Sequence, residues 1–422
     1  MTPRSARNDG LTVEPNVFQR LMLQWEQLAP YNAAQFATLA ADVDDEHVQA
    51  AWRDVVVTLG LQQIGQPPHA GVSIVHQPVD VHITAELNQP FEVAEPPLRP
   101  FILRDANGTS VGIVYRHVVA DSASIRLLVR AWTERLLLIR SAVPARHIAL
   151  LRSTAFRPLD AHRSWNILRE GLGELSRMSR AKRVRRLSSD ADVTSGVEWR
   201  RIALPAGMVN HLLALSRRRG VRVNDLFVAA AALACDELMP HEGSQARRDL
   251  GIGIIADVRP TSRSADRHFG LMLGFLQTFW REQDLRSWDR ALAVAAAQSR
   301  VARQRSLAKA SILRLLAAER AGANKSAEDL AEFYRKRCPL SAGISNVNLN
   351  RDWQAALHPS PLVAYTRVSP LGPMLPLVFT PTTLGDTLHL GVTYRLSVLS
   401  TESANAVVTQ FIAQLERAIS EG

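Results

Sequence analysis

The sequence predicts an α/β chain built as two units of similar size. Three observations carry this. Strand-like and helix-like segments alternate twice along the chain. Its 422 residues exceed what one ordinary core serves. A basic stretch of different character separates the two runs. The expected division is a first unit over 1–160, a connector over 161–196 and a second unit over 197–422. With 46% hydrophobic residues both units have ample material for a core, so disorder is expected only at the ends and in the connector.

In the first unit, Asp44 to Leu59 reads as an acid-started helix with Val48, Ala51, Trp52, Val55 and Val56 on one face. Around His76 to Asp80, the alternation of Val72, Ile74, Val79, Val81 and Ile83 reads as a plain strand. Val111 to Tyr115 reads as a buried strand. Ser122 to Arg140 follows as a helix whose Ile125, Leu128, Val129, Trp132 and Leu136 face a core, with Asp121 or Ser122 as its N-cap.

The connector carries an apolar stripe (Trp165, Leu168, Leu172, Leu175, Met178) and then a cationic run from Arg177 to Arg186. It reads as a solvated basic linker containing a helix. Peripheral contact with a membrane surface and docking of an acidic carrier are its other readings.

The second unit opens with a strand, Val197 to Leu204, and a helix from about Ala206 to Arg218. Asn224-Asp225 reads as a cap ahead of the apolar helix Leu226 to Leu238. Leu250 to Val258 is a buried strand, and alanine-rich basic helices fill roughly 284 to 335. Strands return at Ala342 to Val347, Leu375 to Thr380 and Thr387 to Tyr394, and a helix from Glu402 to Ile419 closes the pattern. Trp280 reads as core, with the lining of a substrate passage as the alternative.

Composition excludes several classes. The two cysteines, Cys235 and Cys338, form no C-x-x-C pair and have no zinc-type cluster, so reduced thiols and no bound metal or cofactor are expected. Met1 to Gly10 has no apolar h-region, and no run approaches the roughly 20 apolar residues of a bilayer span; a cytoplasmic location is expected. No G-x-G-x-x-G, Walker or G-x-S-x-G pattern occurs, which removes support for phosphate-loop and hydrolase-elbow chemistry. The net charge of +10 favours acidic or phosphate-bearing partners. Nucleic-acid binding rests on that charge alone and is the weakest reading.

Chemistry concentrates in the run Gly112-Ile-Val-Tyr-Arg-His-Val-Val-Ala-Asp-Ser-Ala-Ser124. A histidine where a strand turns into a helix is held rigidly and can be aimed at a substrate. Spacing alone is weak, since 12 histidines make about half a chance His-x-x-x-Asp match expected, and His76 to Asp80 is a second one. Context distinguishes His117 and Asp121. Taken on their own, they are open to a bland reading as a satisfied structural histidine and a helix cap.

Further segments carry a resemblance. These are Leu87-Asn-Gln-Pro-Phe91-Glu, Pro96-Pro-Leu-Arg99-Pro, Arg116-His117-Val-Val-Ala-Asp121-Ser122, Val223-Asn224-Asp225, Asp257-Val-Arg259-Pro260, Phe269-Gly270 and Ser345-Asn346-Val347. In this order they resemble the condensation-domain and chloramphenicol-acetyltransferase-like acyltransferase superfamily. The resemblance implies a pseudo-dimer of two such lobes with a central channel, and therefore a monomer. It implies acyl transfer from coenzyme A or a phosphopantetheinyl carrier protein to a small hydroxyl or amine acceptor. His117 takes the family's catalytic position, and Asp121 pairs structurally with Arg259. Elementary chemistry agrees, because a neutral imidazole with pKa near 6.5 can accept the proton an attacking alcohol or amine must lose. Asn346 is a candidate oxyanion donor or strand-edge residue.

The motif departs from the family's His-His-x-x-x-Asp-Gly at two places. Arg116 stands for the first histidine; if His117 points into the channel, strand alternation turns Arg116 away from it. Ser122 stands for the glycine, and there it either narrows the passage or supplies a hydroxyl contact. These departures support a second reading, a catalytically silent homologue that recruits a carrier protein or synthase.

Overall fold

The computed structural model describes residues 15–59, 61, 71–92, 95–106, 108–137, 149–150, 173, 176–177, 179–185, 196–238, 247–259, 268–337, 340–353 and 362–421. Among them run fourteen strands: β1 (Asn32–Leu39), β2 (Ser73–Val75), β3 (Leu98–Asp105), β4 (Gly108–Arg116), β5 (Ala149–Leu150), β6 (Val197–Ala203), β7 (Leu250–Asp257), β8 (His268–Phe269), β9 (Leu273–Trp280), β10 (Ala342–Ile344), β11 (Val347–Asn348), β12 (Leu362–Val368), β13 (Leu377–Leu384) and β14 (Thr387–Arg395). They form two large sheets. The first has the order β12-β1-β4-β3-β2; the second runs β6-β14-β13-β10-β7-β9, with β11 beside β13.

Each sheet buries its faces against helices, which makes two α/β lobes. Helix Ser122–Leu136 shows how the sequence specifies this. Its Ile125, Leu128, Val129 and Trp132 recur at helical spacing and are all fully buried in the first core, beside Val48, Trp52 and Val55 of helix Asp45–Thr58. The second lobe is centred on helix Val223–Leu238, in which every residue from Asp225 to Cys235 is buried. Its alanines allow close approach to helices Trp288–Gln304 and Thr401–Glu421.

The lobes are tied together at three places. Helix Leu307–Gly322 packs on β9 of the second lobe and on helix Val17–Trp25 of the first. There Gln24 donates to the Glu319 carbonyl at 3.0 Å and Arg20 meets the Glu319 carboxylate at 3.0 Å. Strands β5 and β8 pair in parallel. Strand β12 leaves the second half of the chain and extends the first sheet by pairing antiparallel with β1, which sets Arg367 opposite Gln35 and Tyr365 opposite Ala37. No strand is anticipated at 362–368, because Thr366 and Arg367 are buried there and break the apolar pattern.

The segment following His76 corrects its reading. Val79–Asn88 is a helix, not a strand. Val79, Ile83 and Leu87 fit a period of 2 and also the i, i+4, i+8 positions of a helix face, and His82 completes that buried face while Val81 is 55% exposed. Pro78 at the N-cap position suits a helix start because it has no N–H to satisfy. The helix after Asn224-Asp225 also begins earlier than expected, at Val223, with the Asp225 carboxylate accepting from the Arg222 backbone N–H at 3.0 Å.

Trp280 is core: it is fully buried and donates its indole N–H to the Ala291 carbonyl at 3.1 Å. Cys235 is also buried, and burial pushes its thiol up to about 12. Cys338, Arg140 and the apolar stripe of the connector lie outside the described residues. Among the described residues, no helix is long and apolar enough to cross a membrane, and no group of acidic, histidine and cysteine side chains could hold a metal ion.

Candidate active site

Strand β4 ends at Arg116, a tight turn closes with the Val119 N–H on the Arg116 carbonyl at 3.1 Å, and a helix opens at Ser122. Within this turn the His117 ring is fixed from several sides. Its backbone N–H donates to the Tyr31 carbonyl at 3.1 Å, and the Tyr31 ring stacks on it with centroids 5.7 Å apart and an interplanar angle of 11°. Tyr115 meets it edge-on at 5.6 Å. Nδ1 lies 2.8 Å from the Ala120 carbonyl, which can only accept, so Nδ1 carries the proton of the neutral ring. Nε2 is left with its lone pair and has no protein partner among the described residues, yet it is not among the sealed, partnerless side-chain atoms. His117 as a whole is buried, at 8% exposure.

Burial holds the His117 pKa below the usual histidine value, and the nearby Arg367 guanidinium acts in the same direction, against the Ala120 carbonyl and Asp121. His82 and His389 are likewise lowered by burial. Between each lowered folded value and the unfolded value of 6.5, the unfolded chain binds more protons than the folded one. Stability must therefore rise with pH across that window and fall on acidification through it. The expected result is a melting temperature that declines as pH drops below about 6.5, read by calorimetry, with a shallower decline in His117→Asn. A flat profile between neutral pH and the carboxylate range would contradict it.

Asp121, completely buried, is the hub between the lobes. As N-cap of helix Ser122–Leu136 it accepts from the Ser124 N–H at 3.0 Å. The Arg259 guanidinium reaches both of its oxygens at 2.7 Å, and the Met272 backbone N–H donates to Oδ2 at 2.8 Å. Arg259 also touches Ser124 Oγ at 2.9 Å and the half-exposed Asp257 at 3.2 Å. These donors engage both oxygens of the carboxylate within the protein.

Ser122 is gripped on both polar groups. Gln35 donates to its carbonyl at 3.1 Å while accepting from Tyr365 at 2.8 Å, and Arg367 Nε donates to its hydroxyl at 2.9 Å. Arg367 also donates to the Ser345 carbonyl at 2.8 Å and its hydroxyl at 2.6 Å. The serine hydroxyl is thus held within the protein by Arg367. Arg116 does not join this group: its guanidinium forks onto Glu26 at 2.5 to 3.0 Å, beyond the C-terminus of helix Val17–Trp25. Asn346, half-buried between β10 and β11, instead lines a cleft of about 1100 Å³ together with Arg259. Arg177, Arg180, Arg222, Arg303 and Lys309 also line that cleft, against one carboxylate among the described residues, Asp257.

Tyr31, Gln35 and Arg367 escape sequence reasoning, while Ser124 and Ser345 fall in segments the sequence marks without a role of their own. Gln35 and Arg367 lie on paired strands far apart in the chain, and Tyr31 directly precedes one of them. The buried arginine in β12 is the one signal that would have drawn attention there. Arg99, in one of the resembling segments, has a structural explanation: it clamps Glu86 and Glu95 at 3.0 and 2.6 Å and lies 3.9 Å over the Phe91 ring.

No protein-family model matches this sequence, and no curated protein matches it. Solved structures do. The condensation domain of the Monacolin K polyketide synthase MokA superposes with a TM-score of 0.68 at 13% identity, covering 98% of both chains. A variant of the starter condensation domain of rhizomide synthetase RzmA, in complex with C8-CoA and Leu-SNAC, gives 0.68 at 14% identity over 97% of this chain and 94% of that one. The X-domain in complex with OxyB from teicoplanin biosynthesis gives 0.60 at 15% identity over 99% and 96%. With two sheets, helices on each, and this near-complete coverage, the chain has the fold of the condensation-domain superfamily, a pseudo-dimer of two chloramphenicol-acetyltransferase-like lobes.

Proposed function

We propose that the protein is an acyltransferase, moving an acyl group from a coenzyme A or carrier-protein thioester to a hydroxyl or amine acceptor. The observation that carries this is His117: a neutral, oriented imidazole at the junction of the lobes, with Nδ1 occupied and Nε2 without a protein partner among the described residues. Nε2 removes the proton of the acceptor O–H or N–H as its heteroatom attacks the thioester carbonyl. The tetrahedral oxyanion then collapses, the C–S bond breaks, and the proton passes from His117 to the departing thiolate. General-base assistance of this kind contributes about 10²- to 10⁴-fold, and fixing both reactants adds to it. Because the ring's pKa is lowered, the base form persists below neutral pH.

The basic cleft that shares Arg259 with the site supports a phosphate-bearing donor. The rhizomide synthetase domain variant of the same fold is in complex with C8-CoA and Leu-SNAC. A soluble, monomeric, cytoplasmic protein without a resident cofactor fits this reading.

A second reading has its own support. Ser122 is tied to Arg367 where the family has an open glycine, and the teicoplanin X-domain of the same fold is found holding OxyB, a protein partner. On that reading the chain recruits a carrier protein or synthase without turnover. Incubation of the protein with a panel of acyl-CoA thioesters and acyl-loaded carrier proteins, with mixed amines and alcohols, separates the two. Free thiol released in step with a new ester or amide, identified by mass spectrometry, supports transfer. Binding of the loaded carrier with no acceptor-dependent thiol release supports recruitment and removes the acyltransferase.

A further inference from the structure

We propose that Arg367 is the receptor for a carboxylate on the substrate, held beside Ser122 and His117. This rests on the acyltransferase reading and adds to it a substrate class. Arg367 is only 4% exposed, yet its protein partners are all neutral: Ser122 Oγ at 2.9 Å, the Ser345 carbonyl at 2.8 Å and Ser345 Oγ at 2.6 Å. Among the described residues no carboxylate pairs with it. Arg259 and Arg116, two other guanidiniums beside the motif, have Asp121 with Asp257 and Glu26.

A buried charge without a counter-ion is costly, and proteins keep one where a ligand supplies the partner. A guanidinium has five N–H donors. Three are used in these contacts, which leaves part of the fork for another acceptor. Burial, with help from Arg126, draws the Arg367 pKa down to about 10, so it remains cationic at neutral pH. Its position suits the reacting end of a substrate: Ser122 is the partly exposed residue directly after Asp121, and Arg367 is close enough to His117 to disfavour the imidazolium. A planar carboxylate matches the planar fork better than the bulkier phosphates, for which the neighbouring basic cleft, whose lining does not include Arg367, is available. The carboxylate belongs either to the acceptor or to the acyl group.

Thermal unfolding of the full chain with acetate, butyrate and benzoate, each against its primary amide, tests the receptor without any turnover. The acids should raise the wild-type melting temperature and the amides should not; the difference should vanish in Arg367→Met and shrink in Arg367→Lys, which keeps the charge and loses the fork. Rates then identify the source. Succinyl-CoA is compared with butyryl-CoA as donor, and amino acids with their amides as acceptor. The carboxylate member of one pair should be preferred by about 10- to 100-fold in kcat/KM, and Arg367→Met should abolish that preference while still turning over the neutral member. Equal wild-type response to acids and amides overturns the proposal, whether or not Arg367→Met folds. So does a variant that slows both members of each pair alike, the result expected if Arg367 serves the developing oxyanion. An acid-specific thermal shift with no turnover of any thioester keeps the receptor and sinks the acyltransferase.

Discussion

Replacing His117 with asparagine is expected to lower acyl transfer by about 10²- to 10⁴-fold while leaving the protein folded. Asparagine is the informative choice because its amide N–H can take the place of Nδ1–H toward the Ala120 carbonyl, preserving the 2.8 Å contact that fixes the turn. What disappears is Nε2, the ring nitrogen that has no protein partner among the described residues. Alanine should reduce the rate by a similar factor but will also lose the stack with Tyr31 and the edge contact with Tyr115, so its stability falls further. Both variants should retain thioester binding, since Asp121, Arg259 and the basic cleft are untouched, and the loss should lie in kcat more than in KM. In the wild type, the acid limb of kcat/KM should fall below pH 6.5, because the ring's proton affinity is reduced by burial. Asparagine-variant turnover within a few-fold of wild type would remove His117 as the base.

Much of this site was legible in one dimension because it is local. An apolar strand, a histidine at its end, an aspartate four residues on and an amphipathic helix are all encoded between Gly108 and Leu136, and the helix period of Ile125, Leu128, Val129 and Trp132 is unambiguous. The twice-repeated alternation of strands and helices gave two lobes. What could not be read is what the lobes exchange. Strand β12 joins the first sheet from more than three hundred residues away from β1, and only that pairing sets Arg367 and Tyr365 against Gln35 and Ser122. Tyr31 is similar: nothing near Pro30 marks it, and its role arises because β1 lies beside β4 and delivers it to the His117 ring. The misread segment after His76 has a different cause. Over a few residues, alternate apolar positions satisfy both a strand and a helix face, and Pro78 was the better guide.

The largest effect on stability is expected at the carboxylate that joins the lobes. Asp121→Ala should destabilise the protein by about 3–5 kcal/mol, because it leaves the Arg259 guanidinium buried without its nearest counter-ion. The same change removes the helix cap from Ser124 and strands the Met272 N–H, each adding about 1 kcal/mol. Arg259→Met should cost less, since Asp121 would keep three neutral donors, the Ser124 N–H and hydroxyl and the Met272 N–H. In the double variant the stranded cation is gone, so its loss should be smaller than the sum of the two singles. Denaturant midpoints of the four proteins close this cycle. Strictly additive losses, or an unchanged midpoint for Asp121→Ala, would mean that Arg259 finds another partner and that the pair does not hold the lobes in register. Because Ser122 and the helix that follows take their position from the same carboxylate, the coupling energy also measures how firmly the His117 turn is held against the second lobe. A variant that retains its midpoint but loses turnover would assign Asp121 to alignment of the site, a role the hydrogen bonds to Met272 and Ser124 could serve independently of the ion pair.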